Sequence, residues 1–160
     1  MDARAQWLAA AREAIQIESV ALANAASRLD ESLIRAVDLI HDHAGKVVVM
    51  GEGKSGHVAG KIAATLASTG APAQVVHPGE ASHGDLGMIT PDDVVILISN
   101  SGETRELADM IAHCSRFSIP MIAMTRRADS TLARSATHVL LMPDAPEACN
   151  GVDDDCDDDD

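Results

Sequence analysis

The chain has 160 residues and a net charge of −13, a length that suits one domain with a real core rather than two. Its only aromatic residues are Trp7 and Phe117, so a stacking platform for single-stranded nucleic acid is excluded. The acidic excess argues against partners that are nucleic acids or anionic membranes. With hydrophobic residues at 46%, the core must be built from Ala, Val, Leu, Ile and Met.

From Ala3 to about His43 the apolar pattern is helical. Leu8, Ile15, Ile17, Leu22 and Leu29 fall roughly on one face, and Leu33, Ile34, Val37 and Ile40 on another. Asp30 is placed to cap the second helix. No glycine or proline occurs before Gly45, and the period then changes. Lys46–Met50 reads as a β-branched strand ended by Gly51-Glu52-Gly53, followed by a helix from Lys54 to about Ser68 that Gly70 and Pro72 stop. Ala73–His77 reads as a second strand and Asp93–Ile98 as a third. A helix from about Thr104 to Arg116 follows, then a strand over Pro120–Thr125. A short helix near Ser130–Ser135 leads to a fifth strand, His138–Met142.

Strands that alternate with helices and read as continuous apolar runs imply an α/β fold, a doubly wound five-stranded parallel sheet flanked by helices. Residues 1–44 are expected to be helices packing on that domain, and 45–150 to form the domain itself. Ligands should sit where loops leave the carboxyl ends of the strands.

The ends of the chain carry separate expectations. The first twenty residues lack a basic region followed by a continuous apolar run, so no signal peptide is expected. No run is long and apolar enough to span a bilayer, and the cytoplasm is the expected compartment. The last eight residues hold seven Asp and one Cys; without those seven charges the net charge is −6. This acidic tail, 151–160, is expected to be disordered and solvated. The three cysteines, Cys114, Cys149 and Cys156, form no CxxC pair and resemble neither a disulfide framework nor a zinc site. No metal and no cofactor are expected.

Three segments carry chemistry. The first, Gly51-Glu52-Gly53-Lys54-Ser55-Gly56, follows a strand and opens a helix. Its glycines allow close backbone approach, and the helix start offers unpaired N–H groups to a phosphate. It also matches G-x-G-x-x-G, but a dinucleotide site wants an acidic residue at the end of the second strand, and that strand ends His77-Pro78-Gly79. A Walker loop would need glycine where Val48 stands. The second segment, Ser99-Asn100-Ser101-Gly102-Glu103-Thr104, is a neutral cradle of hydroxyls and N–H groups after the third strand. Its plainer reading is a capped helix start, with Ser101 or Thr104 as the cap. The third, His77 to Met88, holds two histidines and two carboxylates and reads as a polar loop.

GEGKSGHVAGKIAATLASTG, HPGEASHGDLGMIT and VVILISNSGETRE, in this order, closely resemble the sugar isomerase (SIS) domain, and within it the arabinose-5-phosphate isomerases of the bacterial Kdo pathway. The resemblance runs from about Gly45 to Cys149. It implies an aldose–ketose isomerase that interconverts D-ribulose 5-phosphate and D-arabinose 5-phosphate through a cis-enediol, for Kdo and lipopolysaccharide synthesis. It further implies a homo-oligomer, a tetramer in the family. It assigns Ser55, Ser99, Ser101 and Thr104 to the phosphate, with Gly53 and Asn100 in the same loops. Lys54, His83, Glu106 and Glu147 match family active-site positions. Glu106 and His83 are both candidates for the enediol base, with Lys54 as the electrostatic partner.

Each of these residues also has a plain structural reading: Lys54 as a solvated helix-start lysine, Glu106 as a first-turn carboxylate favoured by the helix dipole, Glu147 as a loop residue. After Cys149 the family continues with a Pro/Ser/Thr-rich loop, a long helix and a further active-site histidine, whereas this chain reads Asn150-Gly151-Val152 and then the Asp run. A family member without that helix is expected to leave an apolar face uncovered. Two alternatives to the isomerase therefore stand: a non-catalytic sugar-phosphate-binding module, and a nucleotide-binding domain that the ending of the second strand disfavours.

Overall fold

Every residue of Val47–Gly51 and of Val94–Ile98 is buried, as continuous apolar strands must be when helices cover both faces of a parallel sheet. The structure is a computed structural model, and it describes residues 3–144. Glu147, Cys149, Cys156 and the acidic tail lie outside the described residues.

The strands are β1 (Val47–Gly51), β2 (Ala73–Val75), β3 (Val94–Ile98), β4 (Met121–Thr125) and β5 (His138–Leu141). They form one parallel sheet in the order β2-β1-β3-β4-β5. The helices are α1 (Ala3–Ser27), α2 (Glu31–Asp42), α3 (Gly53–Ser68), α4 (Pro78–Ser82), α5 (Ala108–Phe117) and α6 (Thr131–Ser135).

Strand side chains alternate between the two faces. Val48, Met50, Val95, Leu97, Met121 and Ala123 pack on one side with Leu107, Met110 and Cys114. Val47, Val49, Val94, Ile96 and Ile122 pack on the other with Ala36 of α2 and Ala59 and Ala63 of α3. The core is aliphatic, as expected: Trp7 is 71% exposed and Phe117 47%. Cys114 is buried and free, and burial pushes its thiol up to about 12, so it is an inert packing residue.

Asp30 caps α2 as expected, its carboxylate accepting the Ser32 N–H at 2.8 Å. Three local readings differ. The segment after β2 is not a plain loop: it forms α4 and a 3₁₀ turn at Asp85–Met88. Pro78 opens α4 and the His77 ring accepts the Gly79 N–H, a proline at the first helical position behind a side-chain cap. The helix expected from Thr104 begins as a 3₁₀ turn, Arg105–Leu107, before α5 starts at Ala108. Finally, α1 has no buried residue. Leu8, Ile15 and Leu22 are exposed, whereas Ala14, Ile17, Ala21 and Ala25 are half-buried. Its larger apolar face therefore does not join the core. Among the described residues no helix is long and apolar enough to cross a membrane.

Candidate active site

The strand order reverses direction between β1 and β3, which are neighbours with Gly51 opposite Ile98. The crevice beyond this point is where open α/β sheets bind ligands. Both hydroxyl-bearing loops leave the sheet here, one from each strand.

The first loop is shaped by contact distance. A Cβ on Gly51 would lie 2.8 Å from the Ser55 backbone, and one on Gly56 2.8 Å from the Gly51 carbonyl. The start of α3 therefore sits tightly against the end of β1. Gly53 takes φ +53, and Glu52 at the cap position makes no side-chain cap bond. The first-turn N–H groups of a 16-residue helix are thus left without a side-chain cap. Ser55 is half-buried, and Gly53 and Lys54 are exposed.

The second loop is built from the inside. Ser99 is 1% exposed, and its hydroxyl accepts the Gly102 N–H at 2.9 Å while bonding the Thr104 hydroxyl at 2.7 Å. Ser99 therefore shapes the loop from within. The Ser101 hydroxyl accepts the Glu103 N–H at 3.2 Å; neither Ser101 nor Thr104 caps a helix through its side chain. Among the described residues, the N–H groups of Ser101 and Thr104 meet no acceptor. Unspent donors in a tight loop are what an anion requires.

The loop is also tied to its neighbours. The Asn100 carbonyl accepts from the Arg126 N–H at 3.1 Å and from the buried Thr125 hydroxyl at 3.2 Å. Thr125 and Ser130 are both fully buried: Ser130 caps α6, at the helix start the sequence marks, whereas Thr125 ends β4, and a polar residue ending a strand carries no distinctive local signal. Gly102 takes φ +70, and a Cβ there would lie 2.2 Å from Ser130 Oγ. Gly102→Ala is expected to cost about 2 kcal/mol, from left-handed strain and overpacking together, measured as a shift in the urea midpoint with m unchanged.

The remaining candidates sit around these loops. His83 ends α4 and is exposed. Glu106 is exposed within the 3₁₀ turn. Helix α4 packs against that turn and against α5, so the His83 and Glu106 segments are neighbours. Glu106 is not in the first turn of an α-helix, and the macrodipole argument for its presence weakens accordingly. A cavity of about 310 Å³ lies beside the second loop, lined by Glu103, Thr104, Arg105 and Ile111 among others. Two larger cavities, of about 510 and 550 Å³, lie away from both loops: one by α2 and β5, the other by α2 and the α3–β2 turn. No group of His, Cys, Asp and Glu among the described residues could hold a metal ion.

Residues 40–153 match the SIS domain. Arabinose 5-phosphate isomerase KdsD of Yersinia pestis is 50% identical over 140 residues, covering 88% of this chain and 43% of that protein. The Pseudomonas aeruginosa enzyme of the same name is 44% identical over 149 residues, covering 93% and 46%. The chain thus spans less than half the length of these curated relatives. Among solved structures, E. coli CFT073 c3406 in complex with A5P matches with a TM-score of 0.88 at 38% identity, covering 94% of this chain and 79% of that one. The sugar isomerase domain of an RpiR transcription factor from Sphaerobacter thermophilus matches with a TM-score of 0.70 at 27% identity, covering 79% and 73%. Fold, loop order and sequence agree: the chain belongs to the SIS domain family.

Proposed function

We propose that the chain is the sugar-phosphate isomerase domain of an enzyme that interconverts D-ribulose 5-phosphate and D-arabinose 5-phosphate. The observation that carries this reading is the pair of loops meeting at the β1–β3 switch point, with N–H groups left unspent beside three hydroxyls. The names of the relatives and the A5P bound to a similar structure support the choice of this sugar. The product serves Kdo and lipopolysaccharide synthesis, in the cytoplasm.

The phosphate is the handle that positions the reacting carbons. It is received by the start of α3, with Gly53 and Ser55, and by the loop of Asn100, Ser101 and Thr104. Ser99 acts from behind, orienting the Thr104 hydroxyl. Isomerisation moves one proton between C1 and C2 and another between the two oxygens, through a cis-enediol. A base above the carbons takes and returns the first proton, and Glu106 fills this role, with His83 the other candidate. The Lys54 ammonium stabilises negative charge as it develops on the enediol oxygens. Glu147, outside the described residues, completes the acid–base set.

Residues 45–150 form the sugar-phosphate-binding domain, and the N-terminal helices serve assembly. The exposed Leu8, Ile15 and Leu22 recur every seven residues along α1, a face suited to another helix, so the working form is a homo-oligomer.

In heavy water, incubation with D-ribulose 5-phosphate is expected to place deuterium at C2 of the arabinose 5-phosphate formed, and mass spectrometry reads this directly. Tight binding without any incorporation would instead assign the chain to the non-catalytic class. That second reading draws on the fold match to a transcription factor's sugar isomerase domain.

A further inference from the structure

The start of α6 is a third helix end close to the second loop, and its donors are already spent. The Thr131 N–H goes to Glu103 Oε1 at 2.7 Å, the Leu132 N–H to the Gly102 carbonyl at 3.1 Å and the Ala133 N–H to Ser130 Oγ at 3.2 Å. Two of the three therefore hold the 99–104 loop. Because a trans peptide points its C=O and N–H in opposite directions, tying the Gly102 carbonyl to α6 turns the next N–H, that of Glu103, the other way, toward Ser101 Oγ.

The Glu103 carboxylate matters for a second reason. An unrestrained carboxylate beside a phosphate site repels the dianion. Here it is bound to the α6 N–H, with Arg134 and Arg127 as nearby cations, and the Thr131 N–H holds its carboxyl below the usual carboxylate range. The contact spans 28 residues of sequence, so it constrains the loop from outside the loop.

We infer that Glu103 is a positioning residue: its carboxylate latches the anion loop to the first residue of α6 and keeps that negative charge away from the ligand. This rests on the loop being the phosphate site. Glu103→Gln keeps the acceptor oxygen, whereas Glu103→Ala removes it. Thr131→Pro removes the donor at the first helical position, where proline is tolerated, after a Ser130 already extended at ψ 161.

Calorimetry with D-arabinose 5-phosphate, and separately with inorganic phosphate, is expected to show about tenfold weaker binding for Glu103→Ala and for Thr131→Pro, with no further loss in the double variant. Glu103→Gln is expected to stay within about twofold of the parent. Amide exchange at Leu132 and Gly102 should accelerate in Glu103→Ala and not in Glu103→Gln. Unchanged exchange and affinity in Glu103→Ala, or a Gln variant as weak as the Ala variant, overturns the latch. A parent chain that binds neither ligand overturns the phosphate reading, and the exchange rates then decide the latch alone.

Discussion

Asp93→Ala is expected to destabilise the fold by about 3 kcal/mol, the scale of losing several hydrogen bonds to one buried carboxylate whose cationic partner is half-buried. Asp93 is 2% exposed and stands at the amino end of β3, opposite the site. Its Oδ1 accepts the Lys46 N–H at 2.8 Å; its Oδ2 takes the Lys46 ammonium at 2.9 Å, the Thr90 N–H at 2.8 Å and the Thr90 hydroxyl at 3.2 Å. Removal would take the acceptor from two backbone donors, those of half-buried Lys46 and exposed Thr90. The fit is close enough that a Cβ on Gly45 would lie 2.4 Å from Oδ1, so that glycine answers to approach distance rather than to a left-handed backbone.

Burial by itself would raise the Asp93 carboxyl. The Lys46 and Thr90 N–H groups and the Lys46 ammonium outweigh it and hold the carboxyl below the usual carboxylate range. A carboxyl lowered on folding adds stability above the unfolded value and loses it as pH falls through the folded one. Denaturation midpoints should therefore fall in acid below about pH 3.8 in the parent. In Asp93→Asn they should be lower at neutral pH and fall less steeply over that range, Glu103 and the other lowered carboxyls still contributing. A parent-like midpoint for Asp93→Ala at pH 7 would remove this contact from the stability of the fold.

Glu106→Gln is expected to cut turnover of D-ribulose 5-phosphate by at least roughly 10²-fold, while leaving sugar-phosphate affinity unchanged or slightly improved. A carboxylate in the turn that directly follows the proposed phosphate loop is a poor ligand for a dianion, because the two repel. Its presence there makes sense if it carries a proton. Glutamine keeps the shape and removes the base. Steady-state kinetics and calorimetry on the same variant separate the roles. Normal turnover with collapsed affinity would make Glu106 a binding residue and move the base to His83.

The placement of these two carboxylates shows what local pattern can convey. Glu106 is singled out by the resemblance of its segment to the family motif, its local pattern alone reading as a first-turn carboxylate. Asp93 read as the first residue of a strand, since its partner Lys46 lies 47 residues away. The loops at Gly51–Gly56 and Ser99–Thr104 were legible because glycine and hydroxyl clusters after apolar runs are local signals. The inward turn of Ser99 was not, because a buried serine and an exposed one read alike. Helix α4 was within reach through Pro78 and Glu80, but the density of titratable groups suggested a polar loop instead. The 3₁₀ start of α5 had no such cue.

Period and punctuation along the chain determined the five strands, the helices between them, the aliphatic core and the glycine- and hydroxyl-rich loops. These follow from side-chain spacing and backbone preference, which act over a few residues. Tertiary structure alone decided the strand order that brings the two loops together, the exposed apolar face of α1 and the ties between the second loop and α6. Each of these depends on contacts between residues far apart in sequence. Such contacts form only where the packed sheet brings their backbones within hydrogen-bond distance, a condition that no short stretch of sequence encodes.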